Sequence, residues 1–369
     1  MPPTLSGLIQ SFSRLHIAVI GEAILDSYLM GNADRLCAEA PVPVVTLNDR
    51  QDVPGGAANT AVNLRSLGAQ VSFLSVVGAD LEGSLLFRAL ERQGISTDAL
   101  ITQSSRCTLV KHRIMAGSQM LMRFDQGNTD AIGSDIENLL IDRLSHLFAR
   151  CDAILISDYS YGILTPQVIA AIAQLQARSP QLIVVDSKRL ANYRSVGVTV
   201  VKPNYKEAIQ LLGIQNIHDA SGDQFFDQGT RIDQILLHQK QLLDRTGARI
   251  AAVTLDTDGA LMLQHHAAPL QVPARSKTCA SATGAGDTFI SALTLALAAG
   301  ASVSAAGELA SSAAAVVVAK AGTATCSIEE LQARLAMTET QFETRRGKEP
   351  LRPNTTPERN GNESSREVA

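Results

Sequence analysis

The stretch Thr283-Gly284-Ala285-Gly286-Asp287-Thr288 reads as a helix start that carries two glycines and a carboxylate. Its continuation supports the helix: Phe289, Ala292, Leu293, Leu295, Ala296 and Leu297 are apolar at helical spacing, and the pattern ends at Gly300. Free backbone N–H groups at a helix start, with the macrodipole behind them, attract phosphate or a developing negative charge, and glycines let a ligand come close. Asp287 would lie in the first turn, beside that anion. A plain turn with a dipole-favoured Asp fits the same residues, so the rest of the chain decides between the two readings.

Upstream, short β-branched runs at 17–20, 71–77, 153–156, 182–185, 198–201 and 250–255 alternate with helical stretches such as 58–67 and 138–148. This alternation predicts an α/β fold with a mostly parallel sheet covered by helices. Two sections, 27–52 and 107–125, break the rhythm with further strand-like runs. They read as a small β sheet standing off the carboxyl edge of the main one, where it would serve as a lid; two surface hairpins without a gating role are the plainer alternative. After about residue 338 the composition turns to Glu, Arg, Asn, Pro, Thr and Ser without apolar periodicity. The expected layout is an N-terminal extension over 1–13, one domain over 14–337 and a polar, disordered tail over 338–369.

Composition narrows the function classes. A net charge of −4 and a pI near 6.0 provide no electrostatic footprint for nucleic acid or an anionic membrane face, and the absence of Trp argues against base-stacking surfaces. The five cysteines are scattered and never at CxxC spacing, which suits reduced thiols in a cytoplasm rather than a disulfide framework or a zinc site. No secretion signal and no apolar run of membrane-spanning length is present. A small soluble substrate is the expected partner.

Three further motifs carry polar groups to positions where a ligand could use them. Gly55-Gly56-Ala57-Ala58-Asn59 opens a small-residue helix with exposed backbone and an amide that can donate and accept. Gly21-Glu22-Ala23-Ile24-Leu25-Asp26 would end the first strand with two carboxylates, and Asp26 could take two hydroxyls at once. Lys202-Pro203-Asn204-Tyr205-Lys206-Glu207 follows a strand and places Asn204 and Glu207 three apart on one helix face, which suits a water-mediated Mg²⁺ or phosphate site. Each has an ordinary reading as a tight turn, a strand-end carboxylate or a helix cap.

The order of the four motifs resembles that of the ribokinase-like (PfkB) carbohydrate kinases, over residues 14–335. Within that family, Glu39 to Val45, Pro54 to Asn59, Ser157-Asp158-Tyr159 and Val318 to Thr323 are most similar to the heptose-7-phosphate kinase half of the bifunctional ADP-heptose synthases. The resemblance implies a three-layer fold with a small β lid and ATP-dependent phosphorylation of a sugar hydroxyl, with D-glycero-D-manno-heptose 7-phosphate phosphorylated at position 1 as the leading substrate. Asp287 would accept the hydroxyl proton, needing position more than basicity because an Asp near its reference pKa is ionised at neutral pH. Thr283, Gly284, Ala285 and Gly286 would present N–H groups to the migrating phosphoryl. Asp26, Gly55, Gly56, Asn59 and Asp158 would hold the sugar, with Lys111, Arg113, Arg123 and Lys188 as cations for a substrate phosphate. Lys202, Thr254, Asp256, Gly259 and Gly322 would line the nucleotide, and Asn204 and Glu207 would order Mg²⁺ through water. Tyr159 reads as packing. The bifunctional relatives add a nucleotidylyltransferase domain with an H-x-G-H signature absent here, so a separate nucleotidylyltransferase would act downstream.

Several positions depart from the family pattern. Ser281 stands where an Asp helps bind an activating monovalent cation, and a neutral hydroxyl does not replace a full charge. Glu22 replaces an Asp, Tyr161 a frequent Lys, and Ser311 an Asn on the nucleotide side. A sugar- or nucleotide-sensing protein without turnover would explain such losses, but the retained Asp287, Gly284, Gly286, Asn204 and Glu207 favour an enzyme. A nicotinamide oxidoreductase lacks its GxGxxG after the first strand, and a P-loop enzyme lacks its GxxxxGK[ST]. The β character of residues 42–47 and 121–124 suggests a homodimer through the lid.

Overall fold

The structure is a computed structural model that describes residues 4–214, 230–276 and 283–346. In chain order the strands are β1 His16–Gly21, β2 Ala23–Leu36, β3 Pro43–Gly56, β4 Gln70–Gly78, β5 Leu100–Gln103, β6 Leu109–Ala116 and β7 Gln119–Gln126. They continue with β8 Ala153–Asp158, β9 Leu182–Ser187, β10 Val200–Val201, β11 Ile250–Thr254, β12 Ala260–Gln264 and β13 Leu270–Val272. The central sheet has the order β13-β12-β11-β10-β9-β8-β1-β4-β5; it is parallel from β11 to β5 and ends in an antiparallel hairpin of β12 and β13.

Alternation along β1 shows why helices cover both faces. Ile17 and Val19 pack into one core with helices Ala57–Ser66, Ala285–Ala298 and Val303–Val317, while Ala18 and Ile20 pack into a second core with helices Ser134–Phe148 and Pro166–Arg178. The result is the three-layer arrangement, with strands too apolar to face water on either side. β1 lies between β4 and β8, so successive crossovers run in opposite directions from it. Ligands in such sheets collect at the carboxyl ends of the strands beside that switch.

The small sheet has the order β3-β2-β6-β7. It corrects the reading of Gly21 to Asp26 as one strand end. β1 stops at Gly21, and a single residue later the chain is already in β2, so Asp26 belongs to the small sheet, paired with Val53 on β3 and Lys111 on β6. A Cβ at Gly21 would lie 1.9 Å from the Ser157 carbonyl oxygen, so glycine is required at this change of sheet. The outer ends of β2 and β3 are exposed, as are the apolar side chains of Leu36, Val42, Leu47, Met120 and Met122. The last helix, Ile328–Arg346, carries regular structure past residue 337, where the composition alone predicts none. Among the described residues no helix is long and apolar enough to cross a membrane.

Candidate active site

Helix Ala285–Ala298 begins as its sequence predicts, with Gly284 at the N-cap in a left-handed conformation of φ 81°. Its first turn is fixed against helix Ala57–Ser66 by a ladder of polar contacts. Asn59 Nδ2 donates to Asp287 Oδ2 at 2.6 Å, Thr288 Oγ1 donates to Asn63 Oδ1 at 2.6 Å, and Ser291 Oγ donates to the Thr60 carbonyl at 3.2 Å. The glycine pair before Ala57 permits this approach: Gly56 has φ 59°, and a Cβ there would lie 2.7 Å from the Glu22 carbonyl oxygen. Asn59, expected at the sugar, therefore has its amide committed to Asp287.

Asp287 opens onto a cleft of about 230 Å³ at the carboxyl ends of β8, β9 and β10. Gly284 and Gly286 form one wall, Asp158 and Tyr159 a second, and Asp186, Lys202 and Glu207 the floor. Burial pushes the Asp287 carboxyl up to about 6; Asp186 adds to the rise, while Asn59, Lys202 and the Tyr159 hydroxyl oppose it. Asp287 is thus ionised at neutral pH, though far closer to its titration range than a reference Asp. Tyr159 is not mere packing: its hydroxyl donates to Asp287 Oδ1 at 3.3 Å, and burial beside that carboxylate holds the phenol well above its ordinary range.

Lys202 and Asp186 form the second charged element, with Nζ 3.0 Å from Oδ2. Burial opposes the lysine charge, but Asp186 and Glu207 outweigh it and hold the ammonium above its usual range. Nζ lies 3.5 Å from the point a Cβ on Gly286 would occupy, so a fixed positive charge faces the helix start. Asp186 did not emerge from the sequence; the signal was a carboxylate at the end of the 182–185 run, of the kind that singled out Asp26. Asn204 and Glu207 form a reciprocal capping box, each accepting the other's backbone N–H at 2.9 Å. The ordinary reading of this motif therefore holds, while Asn204 Nδ2 and Glu207 Oε1 remain outside those two bonds and Glu207 still lines the cleft.

On the lid side, Arg113 Nη1 donates to Asp26 Oδ1 at 2.8 Å. Thr323 Oγ1 donates to Asp26 Oδ2 at 3.3 Å and lies 2.9 Å from the Tyr28 hydroxyl, joining the small sheet to the segment after Gly322. Gly322 thus sits beside Tyr28 on the lid; a Cβ there would lie 3.7 Å from the phenol oxygen. Gly55 is held against Asp26, 2.6 Å separating a would-be Cβ from Oδ2. Lys111 and Lys188 converge on Tyr159, their Nζ atoms 5.2 and 6.0 Å from the ring centroid, and Lys188 also lies 5.5 Å from the Tyr161 ring. Two of the four expected cations are already paired: Arg113 with Asp26, and Arg123, on the exposed strand β7, in a bidentate pair with Asp125.

The remaining predicted positions lie next door rather than in the cleft. Thr254 bridges Asn204 at the end of β11, and Asp256, at φ 53°, pairs with Arg231. Gly259 has φ 88°, and a Cβ on it would lie 2.1 Å from the Val272 carbonyl oxygen. Asp158 lines the cleft, yet its oxygens accept from Ser187, Tyr193 and the Ser160 backbone, which makes it a scaffold for the wall. Ser281 and Cys279 lie outside the described residues.

Comparison with known proteins bears on the family and the fold. Residues 14–331 match the profile of pfkB family carbohydrate kinases. The chain is 33% identical over 327 residues to the bifunctional protein HldE of Desulfatibacillum aliphaticivorans, covering 89% of this chain and 64% of that protein. It is 35% identical over 320 residues to HldE of Geobacter sulfurreducens, covering 86% and 62% respectively. The chain therefore spans less than two thirds of these relatives. Among solved structures, phosphofructokinase-2 from Escherichia coli with substrates and products superposes with a TM-score of 0.71 at 20% identity, over 88% of this chain and 99% of that one. Ribokinase from Thermotoga maritima does so with a TM-score of 0.66 at 20% identity, over 87% and 99%. These last two establish a ribokinase-like fold, and the match over residues 14–331 shows that the chain belongs to the pfkB family of carbohydrate kinases.

Proposed function

We propose that this sugar kinase transfers the γ-phosphoryl group of ATP to D-glycero-D-manno-heptose 7-phosphate at position 1. The observation that carries the reaction is the buried Asp287 carboxylate at the start of a glycine-opened helix, with Asn59 and Tyr159 fixing its two oxygens. The sugar would lie beside the lid residue Asp26 and the Gly55–Gly56 turn that packs against it, and Asp287 would accept the proton of the attacking hydroxyl. The N–H groups of Ala285 and Gly286 and the Lys202 ammonium face the charge that builds on the phosphoryl oxygens. Asp186 keeps Lys202 in place. The nucleotide would extend from the cleft toward Thr254, Asp256 and Gly259.

The donor set fits Mg²⁺ in a restricted way. Among the described residues no three His, Cys, Asp or Glu side chains are grouped to hold a metal ion, and Asn204 and Glu207 are partly occupied as a cap. Such residues suit an ion that keeps several waters and takes its other ligands from phosphate oxygens. Bound there, Mg²⁺ would neutralise phosphate charge. The Lys111 and Lys188 ammonium groups around Tyr159, together with the motif resemblance and the HldE relatives, favour a substrate that already bears a phosphate. The product would then be a substrate for nucleotidyl transfer.

The test is an ATP-consumption screen over phosphorylated heptoses, hexoses, pentoses and nucleosides, with and without potassium. Turnover is expected on heptose 7-phosphate, with little potassium dependence because Ser281 carries no charge. Preference for another sugar would overturn the substrate assignment, and no turnover on any compound would favour a sensing protein.

A further inference from the structure

The wall that carries Tyr159 is held by a carboxylate with no part in phosphoryl transfer. Glu22 joins β1 to β2 and is fully buried. Its Oε2 accepts from the backbone N–H of Tyr159 at 2.7 Å, and its Oε1 accepts from those of Tyr161 and Ile163 at 3.2 and 3.3 Å. Three alternate N–H groups reach one side chain because the residues between them, Ser160 and Gly162, adopt φ values of 62° and 91°. A non-glycine residue at positive φ is costly, so the contacts around it must over-determine the loop. Asp158 supplies one, accepting from the Ser160 N–H at 2.7 Å. Arg106 supplies others from the far side: its buried guanidinium donates to the carbonyls of Tyr161, Asp130 and Asn128 at 2.8, 3.0 and 3.1 Å.

We propose that Glu22 is a positioning residue: its carboxylate fixes the loop from Tyr159 to Ile163 so that the Tyr159 hydroxyl meets Asp287 and its ring stands between Lys111 and Lys188. The assignment rests on Asp287 being the base. Two hydrogen bonds, from the Tyr159 N–H to Glu22 and from the Tyr159 hydroxyl to Asp287, link the two carboxylates without contact between them, and the same residue reaches the sugar side because its own carbonyl accepts from the Ala57 N–H at 3.0 Å. The ionised acid accepts at both oxygens without competition, whereas a protonated acid would place an O–H donor among backbone donors. Burial and the neighbouring Asp158 push the Glu22 carboxyl up to about 7, against the three N–H groups that favour its charge. The charged and titratable groups facing it are Asp158 at the end of β8, Arg106 before β6 and Tyr193 in the turn after β9.

The experiment compares E22Q, Y159F and the double variant in the full chain, by amide hydrogen exchange and by turnover. At pH 8, E22Q should exchange the amides of Tyr159, Tyr161 and Ile163 roughly tenfold faster or more, with those of β8 unchanged, as expected when a buried acceptor is lost. Its kcat should fall with KM for ATP unchanged, and the double variant should lose no more than E22Q alone. Wild-type exchange of those amides in E22Q, or losses that multiply in the double variant, would overturn the proposal. If E22Q does not fold, the E22D variant decides. With its carboxylate withdrawn by one methylene, E22D should exchange the same three amides faster while those of β8 stay unchanged, and wild-type exchange there sinks the idea. Should Asp287 prove dispensable, turnover would expose that separately, because amide exchange reports on the hold of Glu22 alone.

Discussion

Replacing Asp287 with Asn should move activity and stability in opposite directions. The substitution is nearly isosteric, and the amide can keep its oxygen toward Asn59 Nδ2 while turning its NH₂ group toward the Tyr159 hydroxyl, so the first turn of helix Ala285–Ala298 should persist. Loss of the base should lower kcat by roughly 10²- to 10⁴-fold, equivalent to about 3–5 kcal/mol of transition-state stabilisation, with ATP binding largely intact. Stability follows from the raised pKa. The folded chain holds the Asp287 proton more tightly than the unfolded chain, so the contribution is fully present below about pH 3.8 and is lost as pH rises through about 6. A shift of about two units corresponds to about 3 kcal/mol that the wild-type chain forgoes at pH 8 and D287N does not. For a chain of this length that is roughly 4 °C in Tm. Calorimetry at pH 8 and pH 5 and steady-state kinetics across pH 5 to 9 provide the check. The acid limb of kcat/KM should report Asp287 near 6, and D287N should lose that limb. Turnover within tenfold of wild type, or a Tm gain equal at both pH values, would refute the reasoning.

Lys202→Met removes the ammonium that opposes the rise in the Asp287 pKa, so the acid limb should move to higher pH, and denaturant titration should show a loss of about 3 kcal/mol from the Asp186 carboxylate left without its partner. An unmoved acid limb would separate Lys202 from the base. Gly55→Ala places a Cβ 2.6 Å from Asp26 Oδ2 and should displace that carboxylate from Arg113, raising the sugar KM about tenfold or more while the ATP KM stays constant. An unchanged sugar KM would show that Asp26 does not touch the substrate. Met122→Glu puts a charge on the exposed apolar face of the lid; light scattering should then give the monomer mass where the wild-type chain gives a dimer, and a monomeric wild type at micromolar concentration would end the lid-dimer reading.

The features legible in the sequence are those that the backbone itself dictates. Gly284 and Gly56 sit at positive φ where the TGAGD and GGAAN motifs place them, the 285–298 helix follows its apolar period, and the N-x-x-E segment is a capping box because Asn204 and Glu207 are three residues apart. What stayed hidden depends on which strand lies beside which. Asp26 looked like a strand-end residue because β1 and β2 are both apolar and only Glu22 lies between them, and no period marks the step from one sheet to the other. Asp186 and Lys202 stand at the ends of adjacent strands from different βα units, so their 3.0 Å pair exists only once β9 lies beside β10. Tyr159 became a partner of Asp287, 128 residues away, by the same route. Glu22 carries the point furthest. At the junction it reads as one more polar residue after a strand, and its three N–H partners are gathered only when β8 lies against β1 and Ser160 and Gly162 take left-handed conformations. Its burial among donors then follows from sheet order, and with it the prediction that a residue outside the reacting set holds that set in place.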